Sequence, residues 1–315
     1  RELATPYHGL VYELLLAAAV EGEVAGHPLG PPVWDTLRAM TDALAAIVDV
    51  RLRPPRQGDD DEGHGLILDA PGYDRWASLL ATGARLFGPL DWWPQVPDAD
   101  VRTSLVTALV PAAPEAPAHG AAGTSAARAR PAARPALFPY AGVVVLRDRD
   151  GHDDELWCRL DHGPHGFLGI AAHAHADALS LELRVGGVDV LADPGTYCYH
   201  GEPVWRSWFR STRGHNTLEV GGVDQSVGGG PFLWTRHART WLVRADGLDG
   251  GDVAEWEAAH DGYRRLRPPV VHHRRVRLLR PQLLRNEGVQ VLSAEPRRAV
   301  KTPQLLPALR RLAHL

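Results

Sequence analysis

The chain has 315 residues, of which 44% are hydrophobic and 23% charged, with a formal net charge of −4. That balance belongs to a folded globular chain and excludes the global basic field that nucleic acid or an anionic membrane would select. No apolar run reaches the ~18–20 residues of a membrane span, and Cys158 and Cys198 are too few for a disulfide framework, leaving two thiols or one bridge.

Residues 1–110 read as helical. In "TPYHGLVYELLLAAAVEG", Thr5 is the predicted N-cap and Pro6 takes the first helical position. Leu10, Val11, Leu14, Leu15 and Ala18 then recur at helical spacing. "PPVWDTLRAMTDALAAIVDV" (31–50) and "YDRWASLLATGARLFG" (73–88) are two further helices. Between them "RQGDDDEGHG" (56–65) is a polar, glycine-bounded loop. Its Asp59, Asp60 and Asp61 lack the remaining ligands of a twelve-residue calcium loop, so a solvated turn is expected. Residues 111–137 are Pro/Ala-rich without a period, which is linker composition and sets the domain boundary.

From 138 the period changes to two. "YAGVVVLRD", "DELWCRLDHG", "ALSLELRVGGVDVLADPG", "HNTLEVGGVDQ", "RTWLVRADG" and "VVHHRRVRLLR" are strand-like runs parted by turn signals, with Gly186–Gly187 predicted as a hairpin turn. Helices first and strands after predict an α+β chain with an antiparallel sheet domain over 138–295, not βαβ winding. Residues 296–315 are basic, proline-broken and irregular.

The titratable residues gather in "AAHAHADALSLELRVGGVDVLADPGTYCYHG" (171–201). On a strand, positions i and i+2 share a face, so His173 and His175 are expected to point into one cavity. Asp193 follows one hairpin later and His215 opens another run. Two imidazoles and a carboxylate from neighbouring strand ends have the donor set of a zinc site. Taken alone, H-x-H is a weak pattern, and Asp193-Pro194-Gly195 is also a simple turn.

This stretch, with "WRSWFRSTRGHNTLEVGGVDQSVGGGPFLW" (205–234) and "AHDGYRRLRPPVVHHRRVRLL" (259–279), resembles the C-terminal half of the heparinase II/III-like polysaccharide lyases. "TPYHGLVYELLLAA" resembles the family's Tyr-His helix start, and "RQGDDDEG" its acidic loop. The resemblance implies the end of an α/α toroid (1–110), the linker (111–137) and an antiparallel β-sandwich domain (138–295), with the active site in the cleft between them. It implies cleavage of a uronic-acid-containing glycan by β-elimination, which needs a base for the C5 proton, an acid for the leaving O4 and donors for the charge on the carboxylate.

Carried over residue by residue, Tyr7 is the base/acid tyrosine and His173 the histidine facing the substrate. His175, Asp193 and His215 are ligands of a structural zinc ion. Arg206, Arg210 and Arg213 are anchors for uronate or sulfate groups, with sheet-edge ion pairing as their alternative role. Tyr199 and Trp205 are expected to stack on sugar, His8 to assist the site or cap locally, Asn216 to bond backbone, and Trp234 to serve the site or the core. The family's upstream Asn or His, which contacts the substrate carboxylate, falls before residue 1, so truncation at both ends is expected. The partner implied is an acidic polysaccharide, with no nucleic acid. A location in the periplasm, envelope or exterior depends on a lost signal peptide, and the cytoplasm is the alternative. Two rival functions stand beside the lyase: a non-catalytic glycan-binding or structural relative, and a zinc hydrolase using the H-x-H pair. The absence of strand–helix alternation after 138 counts against the hydrolase.

Overall fold

The computed structural model describes residues 3–68, 72–111, 129–280 and 290–293. Most of the 111–137 linker and all of the 296–315 tail lie outside the described residues. Four helices come first: α1 (Thr5–Val24), α2 (Pro31–Ile47), α3 (Arg75–Phe87) and α4 (Val101–Leu109). Their apolar faces meet around Tyr12, Leu16, Trp34, Leu37, Leu44, Leu79, Leu80 and Val106. The cap of α1 falls on Ala4, one residue before the expected Thr5, whose N–H is taken by Gln57 O at 2.9 Å. Asp74 and Asp100 cap α3 and α4 by accepting first-turn N–H groups.

The strands follow: β1 (Leu137–Phe138), β2 (Val143–Asp148), β3 (Leu156–Asp161), β4 (Leu181–Val185) and β5 (Val188–Leu191) form one antiparallel sheet in sequence order. A short helix α5 (Pro203–Arg210) and a hairpin of β6 (Val227–Gly230) and β7 (Leu233–Arg236) come next. β8 (Thr240–Asp246), β9 (Val253–His260), β10 (His272–Leu279) and β11 (Gln290–Ser293) build a second antiparallel sheet, ordered β11-β10-β9-β8. Gly186 (φ 55°) and Gly187 (φ 68°) close the β4–β5 hairpin, where two successive positive φ values make the turn that glycine permits.

The two sheets face each other through Val144, Leu146, Leu160, Leu181, Leu183, Trp256, Ala258, Val276 and Leu278. Cys158 is buried in that layer, and both cysteines are free thiols. The opposite face of the first sheet docks on the helices. Trp157 Nε1 donates to Ile47 O at 3.0 Å, Arg147 to Ala46 O at 2.6 Å, and Arg134 to Ala45 O and Val48 O at 2.8 and 2.9 Å. These donors satisfy the carbonyls left open at the C-terminal end of α2. The first sheet is therefore buried on both sides, and β2, β3 and β4 lack the in–out alternation of a solvated sheet.

The result is a mixed α/β fold with antiparallel sheets, with three departures from expectation. Residues 171–180 are loop rather than strand, and Ala171 (φ 50°) and Leu179 (φ 57°) bracket it in the left-handed region. "HNTLEVGGVDQ" contributes only an isolated bridge, Val220 to Val223. "PVWRSWFR" forms α5 and "VAEWEAAH" forms β9, neither of which the pattern announces. Among the described residues no helix is long and apolar enough to cross a membrane.

Candidate active site

Four segments converge on one cleft: the first turn of α1, the acidic loop 56–65, the loop 171–180 before β4, and the loop and helix 192–210 after β5. Gly58 lets the acidic loop pass. Its φ is +69°, and a Cβ there would sit 2.7 Å from His173 O and 2.8 Å from the Ala4 side chain. The next residue, Asp59, donates its N–H to His173 O at 3.0 Å.

Asp59 is 0% exposed and is the hub of the cleft, not part of a solvated turn. Its Oδ1 lies 2.9 Å from His175 Nε2, and both oxygens accept from the Arg206 guanidinium, at 2.7 Å for Oδ2. Burial alone would raise its carboxyl, but the bonds from His175 and Arg206 hold it at about 2. Asp60 and Asp61 are exposed, as a solvated turn requires.

Tyr7 and His173 meet across the two halves of the chain, with ring centroids 4.2 Å apart and planes inclined at 33°. Tyr7 donates to Asp61 Oδ2 at 3.3 Å and its oxygen lies 2.9 Å from Tyr199 Oη. Partial burial, then the negative charges of Asp61 and Asp59, push the Tyr7 phenol above the usual tyrosine range against the bond from Tyr199. Tyr199 is raised as well, first by burial and then by its bond to Tyr7, so both phenols hold their protons at neutral pH. Arg206 stacks over the Tyr199 ring at 4.9 Å, tying that phenol to Asp59. His173 Nδ1 is buried without a hydrogen-bond partner, 3.5 Å from Asp59 Oδ2.

Behind this pair stand His175 and His215, ring centroids 5.1 Å apart. Burial lowers His175 despite Asp59, leaving it neutral. Burial acts on His215 in the same direction, but the Asp193 carboxylate, 2.7 Å from Nδ1, lifts it to about 9. Both carboxylate oxygens of Asp193 are engaged, Oδ2 by His215 and Oδ1 by the Gly195 N–H. His175 Nδ1 and His215 Nε2 are buried and unpartnered. Among the described residues no group of three or more His, Cys, Asp or Glu is arranged to hold a metal ion. Each ring is backed by a carboxylate, and Asp193 stands behind His215 as its hydrogen-bond partner rather than beside it as a third ligand.

The remaining expected residues have other partners. Arg206 is spent on Asp59 and Pro231 O. Arg210 bonds Gly230 O and stacks over Trp234 at 4.5 Å. Arg213 is exposed and paired with Glu219 at 2.9 Å. Arg206 and Arg213 are thus paired with carboxylates, whereas Arg210 keeps Nε and Nη2 buried without a hydrogen-bond partner. His8 bonds Met40 O at 3.2 Å on α2, and burial lowers its pKa, so it serves the helix pair and not the cleft. Trp205 is half exposed on α5, Asn216 donates to Ala192 O at 2.8 Å, and Trp234 is core. Asp59 is the residue that sequence reasoning missed. Its signal was the glycine before it, which marks a close backbone approach.

The fold has known counterparts. A heparinase III structure superposes with a TM-score of 0.57 at 17% identity, covering 88% of this chain and 37% of that one. The heparan sulfate lyase HepC from Pedobacter heparinus gives 0.54 at 19%, covering 88% and 36%. The heparinase III BT4657 gene product gives 0.55 at 18%, covering 88% and 36%. The chain therefore spans about a third of the length of these structures, and at such identities the likeness concerns the fold. Comparison with curated proteins gives no match. The sequence model of the heparinase II/III-like C-terminal domain matches residues 130–307, which carry His173, His175, Asp193, Tyr199 and His215, and with more than half its length matched the chain belongs to that family.

Proposed function

We propose that this chain works in a polysaccharide lyase that cleaves a uronic-acid-containing glycan by β-elimination. The observation that carries this reading is the 4.2 Å approach of the Tyr7 and His173 rings, one from the helices and one from the β-domain. In this mechanism His173 Nε2 takes the C5 proton of the uronate. The C5–H electron pair forms the C4–C5 double bond, and the C4–O4 bond breaks. Tyr7, held protonated by its anionic surroundings, gives its proton to the departing O4. The imidazolium formed on His173 then offsets the charge grown on the substrate carboxylate. The elevated Tyr7 pKa favours the acid role over the base role of the family's tyrosine. Helices α1–α4 are, in this reading, the end of an α/α toroid, with 138–295 as the β-sandwich domain.

In this reading His175 and His215 would hold a zinc ion through their unpartnered ring nitrogens, displacing the proton that Asp193 keeps on His215, with Asp59 and Asp193 orienting the two rings. Bound there it would cross-link the 171–180 loop to the segment carrying His215, a structural role. Elemental analysis of the intact protein is expected to find it, and a metal-free, fully stable protein would remove it from the account.

The test is the ultraviolet absorbance of the unsaturated uronate, followed with heparan sulfate, alginate and hyaluronan as substrates. Wild type is expected to generate the chromophore on one of them. Tyr7→Phe is expected to lower the rate by a factor of ~10² or more with little change in Tm. New reducing ends without the chromophore would mean hydrolysis and end the lyase reading. The second reading, a non-catalytic glycan binder, draws on the pairing of Arg206 with Asp59 and of Arg213 with Glu219, and it predicts binding with no turnover on any substrate.

A further inference from the structure

Beside Trp234 lies an open cavity of about 530 Å³, lined in part by Trp234, Arg236, His237, Arg239, Asp261 and Arg265. Three arginines face one carboxylate there. Arg236 and Arg239 are exposed, and neither side chain has a carboxylate partner among the described residues. The Arg265 guanidinium bonds the carbonyls of Gln225, Gly262 and Asp224 and lies over the Tyr263 ring at 6.0 Å, with no carboxylate ion partner among the described residues.

The walls are fixed in advance. The Arg239 N–H donates to Asp261 Oδ1 at 2.9 Å, and the Asp261 N–H returns to Arg239 O at 3.1 Å. At Gly262 a Cβ would lie 2.4 Å from Gln225 O, so the turn closes only with glycine. The cavity also joins the cleft structurally, because Trp234 Nε1 donates to Ala174 O at 3.0 Å, and Ala174 separates His173 from His175. A cationic cavity that shares a wall with the site suits an anion.

We propose that this cavity is an anion subsite for a sulfate or carboxylate group of the acidic glycan, away from the bond that is cut. The proposal rests on the glycan reading above, and it commits to a sugar-borne anion rather than nucleic acid. Arginine suits the task, since its planar fork pairs with sulfate and carboxylate oxygens two at a time.

The experiment is calorimetric titration of the full chain with sucrose octasulfate, a sulfated sugar with no uronate to eliminate. Sucrose and a single-stranded oligodeoxynucleotide serve as controls. Wild type is expected to bind the octasulfate and not sucrose. The Arg236→Ala/Arg239→Ala double variant, altered only at exposed side chains, is expected to bind about tenfold more weakly. The corresponding double lysine variant should recover part of that loss. No binding by wild type, unchanged affinity in the alanine variant, or oligodeoxynucleotide binding of equal strength lost in parallel would each overturn the subsite. Binding here and the chromophore above are separate readouts. Octasulfate binding by wild type that weakens in the alanine variant, with no chromophore on any glycan, leaves the subsite standing and removes the lyase, whereas chromophore without octasulfate binding removes the subsite alone.

Discussion

Replacing Asp59 by asparagine keeps the shape of the side chain and removes the charge on which the cleft is organised. Arg206 is buried, and its carboxylate partner is 147 positions away in sequence. Without that negative charge a buried guanidinium keeps an amide oxygen, Pro231 O and the faces of Tyr199 and Phe232 but no counter-ion, a situation that costs about 3 kcal/mol. Asp59→Asn is therefore expected to lower the unfolding free energy by that amount in denaturant titration. Asp60→Asn, on the exposed neighbour, is expected to stay within about 0.5 kcal/mol of wild type. Equal small effects would return Asp59 to the role of a solvated loop residue. Among three aspartates in a row, the preceding glycine marks only a close backbone approach and does not say that the first carboxylate is buried. The difference lies in His175 and Arg206, which only the folded chain brings to Asp59.

At the scale of elements, β9 and β10 place His260 directly opposite His272, with Nε2 and Nδ1 3.0 Å apart and both residues buried. Burial, reinforced by the nearby cation Arg274, lowers His260 to about 4 and His272 to about 2. Their folded pKa values lie below the unfolded value near ~6.5, so the unfolded chain binds more protons as pH falls below that point. The pair's contribution is complete above pH ~6.5 and is lost below it, at up to about 1.4 kcal/mol per pH unit for each histidine. Asp161 and Glu182 work the other way, since burial raises them to about 6 and about 7, and they favour the fold as pH falls. The informative quantity is thus the difference between proteins. His272→Gln is expected to lose less stability than wild type between pH 7.5 and 5.5, and parallel stability curves would show that the pair is not held neutral. Most strands of these sheets were legible because β-branched and aromatic residues recur with turn residues between them. β9 was not, because "VAEWEAAH" is rich in alanine and glutamate, residues of low strand propensity, and is buried along most of its length. The alternation of His173 and His175 misled in the opposite sense. It imitates a strand, while the backbone turns between Ala171 and Leu179 at positive φ.

For the molecule as a whole, the proposed catalytic pair exists only while the helices stay docked on the first sheet, because Tyr7 belongs to one and His173 to the other. That docking is more polar than either core. Asp49 is fully buried and accepts from the Arg53 guanidinium at 2.9 and 3.1 Å, from the Arg51 and Arg53 N–H groups at 2.9 Å, and from Arg184 on β4 at 3.2 Å. Arg184 in turn bonds Glu182 at 3.1 Å and stacks over Trp157 at 4.3 Å. An interface of this kind depends on every partner being present, since removing one leaves a buried charge unanswered. The two apolar cores lie on either side of it and do not share side chains. Asp49→Ala is therefore expected to separate the halves before it melts them. In rising denaturant, turnover should vanish at a lower midpoint than the far-ultraviolet circular dichroism of the helices and strands, whereas in wild type the two midpoints coincide. If they coincide in the variant as well, the charged layer is not what holds Tyr7 against His173, and the site is aligned instead by the Thr5–Gln57 and Asp59–His173 backbone bonds within the cleft.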